Sequence, residues 1–285
     1  MSDDARTYTD AAGVRVHYDV WPVERPRGVA QVVHGVGEHA GRYAHVARAL
    51  NEAGFSVYID DHHGHGRTGL EQHGGDVGKL GRLGPGGLRA AVASVYELSG
   101  IIRAENPGVP LVLIGHSWGS FIAQIILNAH AADYAAAVLT GTAYRMPGYL
   151  AAGDLNRRHR QLGTTGAEWL SRDPAVAQAF LDDPLTTGVS LQRLFGLTEA
   201  ARLFGVPSAR MADIPVLIQV GGDDSVGGER SALRLANAYR RRAHLSDVRL
   251  IVYEGARHEV YNETNRDEVI ADTIAFLNEH LSTGA

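Results

Sequence analysis

The stretch Pro110-Leu111-Val112-Leu113-Ile114-Gly115-His116-Ser117-Trp118-Gly119 decides how this chain folds. Consecutive large apolar residues between a proline and a glycine read as a short strand buried on both faces. Phe121–Ala131, just beyond, is apolar at helical spacing. The residues between them fit Gly-x-Ser-x-Gly, the pattern of a sharp strand-to-helix turn that lifts a serine hydroxyl above a sheet. Glycine two residues either side lets strand and helix approach without a Cβ clash. Ser117 also lies at a helix N-terminus, whose free amides favour developing negative charge.

Working outward, Val29–Val33, Phe55–Ile59, Ala135–Leu139, Pro215–Val220 and Val248–Tyr253 are further short apolar runs. Arg42–Ala53, Gly87–Glu105, Glu229–Arg242 and Arg266–Leu281 have helical spacing between them. Val14–Val20 alternates with period two and predicts an early antiparallel strand. Strands alternating with helices imply a mostly parallel sheet covered on both faces. The rhythm stops between 143 and 206, where no strand pattern is seen and Pro147, Gly163, Pro174 and Pro184 punctuate short helix-like pieces. That stretch carries Tyr144, Trp169, Phe180, Leu194, Phe195 and Phe204. The expectation is an α/β core of residues 1–142 and 207–285 with a helical lid inserted at 143–206.

Ligands of such sheets bind beyond the carboxyl ends of the strands, so the residues just after each strand matter most. Gly221-Gly222-Asp223-Asp224 follows the strand ending at Val220, and Asp224 is favoured there as the carboxylate that orients a histidine. Asp223 reads as a turn or cap residue. His258 lies after the last strand and before the last helix, placed to serve Ser117 as general base and then general acid. The order Ser117, Asp224, His258 is that of the α/β-hydrolases rather than of other serine hydrolases. His34-Gly35-Val36 follows the Val29–Val33 strand. The amides of Val36 and Trp118 are the candidate oxyanion donors, each typically worth about 3–4 kcal/mol.

Other signals carry less. Gly64-His65-Gly66-Arg67-Thr68-Gly69 imitates a dinucleotide fingerprint, but that motif must open a helix leading to a further strand. The glycines at 74, 75, 78, 81 and 84 are expected to break any helix there. Asp60-Asp61-His62-His63-Gly64-His65 is rich in metal-ligand types, yet reads as a packed loop beside the active site, and no metal is expected. Arg157-Arg158-His159-Arg160 reads as a solvated face that also suits an anionic lipid surface.

Composition sets the outer bounds. With 285 residues the chain can bury a core without a metal or disulfide. Cysteine is absent, which excludes a disulfide framework, thiolate metal sites and a thiol nucleophile. A net charge of −5 gives no basic field to draw nucleic acid. The start Met1-Ser2-Asp3-Asp4 is acidic where a signal peptide is basic. No run reaches the ~18 apolar residues of a membrane span. The expectation is a cytoplasmic protein that needs no cofactor.

Taken together, His34-Gly35-Val36-Gly37-Glu38-His39 with Arg42-Tyr43, Asp61-His62-His63-Gly64-His65-Gly66, Gly115–Gly119, Gly221–Asp224 and His258–Glu263 resemble the monoacylglycerol lipase and lysophospholipase branch of the α/β-hydrolases. The likeness runs in order over about 30–280, and Ser171-Arg172-Asp173-Pro174 resembles the lid of bacterial members. It implies an α/β-hydrolase fold and a serine esterase without cofactor, acting on one acyl chain esterified to a small polar alcohol. By position it implies Ser117, Asp224 and His258 as the triad, and Val36 and Trp118 as the oxyanion hole. Gly35, Glu38, His116 and Tyr144 are expected to contact substrate, and the lid to touch a membrane surface transiently. The chain departs from the family at Trp118 and Ser120, where Met and Gly are more usual, and at His63 and Thr68. The Trp118 ring is expected to narrow or reshape the acyl pocket. Aromatic half-esters, amides, or binding without turnover are the alternative readings.

Overall fold

The computed structural model describes residues 4–151 and 153–281. Its strands are β1 (Asp4–Thr9), β2 (Arg15–Trp21), β3 (Gly28–Val33), β4 (Phe55–Asp60), β5 (Leu111–His116), β6 (Ala136–Thr140), β7 (Val216–Gly221) and β8 (Val248–Tyr253). They form one sheet in the order β1-β2-β4-β3-β5-β6-β7-β8. β1–β2 and β2–β4 pair antiparallel, and every pairing from β4 to β8 is parallel. β5 lies inside the sheet, with Ile114 between Val32 and Val138. All of its residues are buried, as its unbroken apolar run requires.

The helices are α1 (Ala44–Glu52), α2 (Gly66–Gln72), α3 (Gly87–Glu105), α4 (Trp118–His130), α5 (Pro174–Asp182), α6 (Leu191–Ala201), α7 (Gly228–Arg241) and α8 (Arg266–His280). One face of the sheet packs against Leu98, Ile122, Ile126, Leu235 and Tyr239 from α3, α4 and α7. The other packs against Val46, Leu50, Phe276 and Leu277 from α1 and α8. Parallel pairing brings the carboxyl ends of β3 to β8 to one edge, so His34, Asp61, Ser117, Asp224 and His258 all emerge there.

The structure departs from the sequence reading in three places. β1 has no apolar pattern, because it is an edge strand whose residues alternate between half-buried and exposed. Polar contacts tie it down: the Tyr8 hydroxyl donates to the Ser94 carbonyl at 2.8 Å, and Arg6 reaches Glu105 at 2.9 Å. A helix, α2, does open at Gly66; the later glycines end it rather than prevent it. No strand follows until β5, so the fingerprint has no second strand to work with. α4 begins at Trp118, directly after the serine.

Between β6 and β7 the described residues contain no strand, only short 3-10 turns, α5 and α6. This segment crosses the carboxyl edge of the sheet. The Thr187 amide donates to the Gly37 carbonyl at 2.8 Å, and His39 Nε2 meets Asp183 Oδ2 at 2.8 Å. Among the described residues no helix is long and apolar enough to cross a membrane.

Candidate active site

The turn after β5 is built by steric necessity. Ser117 sits at φ 50°, ψ −122°, a region that costs a non-glycine residue about 1–3 kcal/mol. The surroundings hold it there. Its amide donates to the Thr140 carbonyl at 2.9 Å, and its carbonyl accepts from the Ser120 amide at 2.9 Å and the Ser120 hydroxyl at 2.6 Å. Ser120, one of the departures from the family, is thus a brace for the elbow. A Cβ on Gly119 would lie 2.1 Å from the Val33 carbonyl oxygen, and one on Gly115 2.7 Å from the Gly119 carbonyl oxygen. Both glycines are required for α4 to start so close to β3 and β5.

Two loops bring the other groups to the hydroxyl. A Cβ on Gly221 would lie 2.2 Å from the carbonyl oxygens of Ala256 and Arg257. That bare backbone lets the β7 and β8 loops touch. His258 Nδ1 lies 2.9 Å from Asp224 Oδ1, and His258 Nε2 lies 2.8 Å from Ser117 Oγ. A carboxylate only accepts, so the proton belongs on Nδ1 and Nε2 offers its lone pair to the serine hydroxyl. Asp224 Oδ1 also accepts the Val226 amide at 2.8 Å, which fixes the carboxylate. All three side chains are buried. Asp223 turns outward instead, 3.4 Å from Arg158.

Burial disfavours the His258 imidazolium, but the Asp224 charge and hydrogen bond, reinforced by Glu259 and Glu38, outweigh it and hold the ring above its ordinary value. His116, its ring centre 5.0 Å from that of His258, goes the other way. Burial and the neighbouring His258 push it down to about 4, so it stays neutral.

The loop after β3 lies against Ser117, with a Cβ on Gly35 placed 3.2 Å from Ser117 Cβ. Glu38 folds back under it: Oε1 accepts the Gly35 amide at 2.7 Å and the Tyr43 hydroxyl at 2.6 Å. Among the described residues neither the Val36 nor the Trp118 amide has an acceptor.

Of the expected substrate contacts, Gly35 and His116 stand beside Ser117 and His258. Both Glu38 oxygens are taken by protein donors, since Oε2 accepts Arg42 Nη1 at 2.6 Å. The Tyr144 ring packs on Tyr149 with centres 5.5 Å apart and faces Arg234 at 5.6 Å, on the α7 side. Much of the Asp60–His65 cluster is taken up by internal contacts. His62 Nδ1 meets Asp60 at 2.7 Å, His63 Nε2 meets Asp10 at 2.5 Å, and Asp61 takes the Ala40 and Arg67 amides. Among the described residues no group of His, Asp and Glu is arranged to hold a metal.

Sequence reasoning missed Trp169, whose ring centre is 5.0 Å from that of His258 and whose carbonyl accepts the His258 amide at 3.3 Å. It also missed Arg42 as a link between loops. Arg42 stands in a stretch that resembles the family, but both contacts join segments far apart in the chain, which no local pattern pairs.

This geometry has counterparts among known proteins. A family profile described as serine aminopeptidase, S33, matches residues 24–265. The chain is 33% identical over 301 aligned residues to a monoacylglycerol lipase of Mycolicibacterium smegmatis, covering 96% of this chain and 97% of that one. It is 28% identical to the human monoglyceride lipase over 85% of this chain and 78% of the relative. A highly thermostable carboxyl esterase from Bacillus coagulans, solved in complex with glycerol, is similar in structure with a TM-score of 0.84 at 28% identity, over 99% of each chain. With a profile match over residues 24–265 and a 33% identical relative along nearly the full length of both chains, this chain belongs to the serine aminopeptidase S33 family of α/β-hydrolases.

Proposed function

We propose that this chain hydrolyses the ester between a single acyl chain and a small polar alcohol, as in a monoacylglycerol, through an acyl-enzyme on Ser117. Kinship makes the chain a carboxylic ester hydrolase of monoacylglycerol lipase type. The observation that carries the residue assignment is the unbroken run Ser117 Oγ, His258 Nε2, His258 Nδ1, Asp224 Oδ1, at 2.8 and 2.9 Å.

In the first step Ser117 Oγ attacks the ester carbonyl while His258 Nε2 takes its proton. Asp224 steadies the imidazolium, and the Val36 and Trp118 amides receive the oxyanion. Collapse expels the alcohol with the proton from Nε2. Water, deprotonated by the same nitrogen, then cleaves the acyl-enzyme. Residues 143–206 act as a lid whose apolar wall favours an acyl chain by about 0.8 kcal/mol per buried CH₂. Leu162, Leu181, Val189, Leu197 and Phe204 are exposed on that segment, which also carries the exposed Arg157, Arg158 and Arg160, a composition that suits contact with a lipid surface.

The test is hydrolysis of monoacylglycerol, diacylglycerol, a p-nitrophenyl ester and an aminoacyl amide by the wild type and by Ser117→Ala. Turnover of the monoesters that Ser117→Ala abolishes, with a fluorophosphonate adduct on Ser117, is expected. Near wild-type activity in the alanine variant would reject the assignment, and a preference for the amide would replace the substrate class.

A further inference from the structure

Trp118 offers more than a backbone amide. Its indole is fully buried. Its ring centre lies 5.1 Å from His65, 5.7 Å from His62 and 5.0 Å from Phe195 on α6. The side of Ser117 on which this ring stands follows from the strand order. His62 and His65 follow β4, which lies beyond β3 on one side of β5. Asp224 and His258 follow β7 and β8, on the other side.

That division sorts the groups around a reacting carbonyl carbon. The alcohol must leave towards His258, because its proton comes from Nε2. The oxyanion points to the two amides. The direction left for the acyl chain is away from His258, on the β4 side, where the indole stands. Ser117 is only 8% exposed, and the Trp118 side chain is shut off from solvent. Two surface clefts, one beside Tyr149 and Arg234 and one between Asp154 and Glu168, lie away from Ser117 and Trp118.

Phe195 is held against the indole rather than hanging free. Its neighbour Leu194 fills the space at Gly81, where a Cβ would lie 2.5 Å from Leu194 Cδ1. Farther along α6, Glu199 Oε2 accepts the Leu88 amide at 2.8 Å and so caps α3. Trp118 Nε1, His62 Nε2 and His65 Nε2 are buried without a hydrogen-bond partner among the described residues. An alkyl chain threaded past them could offer none.

We propose that Trp118, backed by Phe195, is the acyl-length determinant of this enzyme, stopping the acyl site short so that short acyl esters are the preferred substrates. The inference rests on the ester-hydrolase reading and narrows it to a substrate class.

The experiment is kcat/KM for p-nitrophenyl acetate, butyrate, octanoate and laurate with the wild type, Trp118→Met and Phe195→Ala. The wild type is expected to favour acetate or butyrate over laurate by roughly tenfold or more. Each variant is expected to raise the laurate-to-butyrate ratio by about the same factor. Phe195→Ala leaves both amide donors in place, so it decides the matter if Trp118→Met folds poorly. A wild type that prefers laurate, or two variants that hydrolyse butyrate with an unchanged ratio, would overturn this inference alone. No hydrolysis at any length would overturn the ester-hydrolase reading and this inference with it.

Discussion

The Arg42 guanidinium grips both oxygens of Glu259, at 2.7 and 2.8 Å. The same Nη1 reaches Glu38 at 2.6 Å. Glu259 is next to His258, and Glu38 holds the Gly35 amide, so the Arg42 side chain, 11% exposed, spans the loop that carries His258 and the loop after β3. Two carboxylates on one guanidinium leave a surplus negative charge in the interior. Burial works against the charge on Glu259, but Arg42 outweighs it and holds the carboxyl well below its ordinary range.

Arg42→Met would leave two buried carboxylates uncompensated. Removing one partner of such a cluster typically costs about 3–5 kcal/mol, and that loss is expected in urea unfolding. Arg42→Lys keeps a charge but loses the fork. It should retain most of the stability while kcat falls more than KM rises, because both loops drift relative to Ser117. Equal kinetics for Lys and Arg would mean that charge alone matters.

The raised His258 value fixes the sign of the pH response. The ring must be neutral to accept the Ser117 proton, so kcat/KM should fall on the acid side with a midpoint above 6.5. The groups that face the ring are Asp224, Glu259, Glu38 and His116. Glu259→Gln removes one negative charge and should move the midpoint towards acid. The fold follows the same linkage: the ion pair stabilises it fully below 6.5, and that contribution is lost as pH rises through the folded value. An acid limb that stays fixed in Glu259→Gln would show that Asp224 alone sets it.

Gly119→Ala tests the steric reading of the elbow. The new methyl would meet the Val33 and His34 carbonyl oxygens at 2.1 and 2.3 Å. Both are rigid backbone, so α4 must lift away from β3. A loss of about 3 kcal/mol or more is expected in thermal or urea unfolding. Gly74→Ala is the control for glycine loss: nothing lies within 4 Å there, so only the φ of +64° is strained. Similar losses for the two would remove the steric argument.

How much of this was legible beforehand divides along physical lines. Buried parallel strands such as β5 must be apolar throughout, so their runs stand out in one dimension. The groups at their carboxyl ends inherit that clarity, which is why position alone singles out Ser117, Asp224 and His258, three residues that the structure brings within hydrogen-bond reach. β1 was invisible because polar side chains rather than an apolar face attach it. Tyr144 was expected to contact substrate; its ring packs on Tyr149 and faces Arg234. Trp169, Arg42 and Phe195 act across segments separated by long stretches of chain, and no local pattern marks such pairings.

The strap formed by Asp183 and Thr187 gives the last prediction. His39 Nε2 meets Asp183 Oδ2 at 2.8 Å, and the Thr187 amide donates to the Gly37 carbonyl at 2.8 Å. A Cβ on Gly37 would lie 2.3 Å from the Thr187 carbonyl oxygen, so the strap rests directly on the loop that carries Val36. Asp183 also accepts the Leu185 amide at 2.8 Å, so its carboxylate orders the strap as well as docking it. Asp183→Ala removes both contacts without touching the sheet. The Thr187 amide is expected to exchange with deuterium faster, by roughly tenfold for about 1.4 kcal/mol of lost docking, while amides of β5 keep their protection. Amides of β5 that speed up equally would mean that the strap belongs to the folding core and does not open by itself.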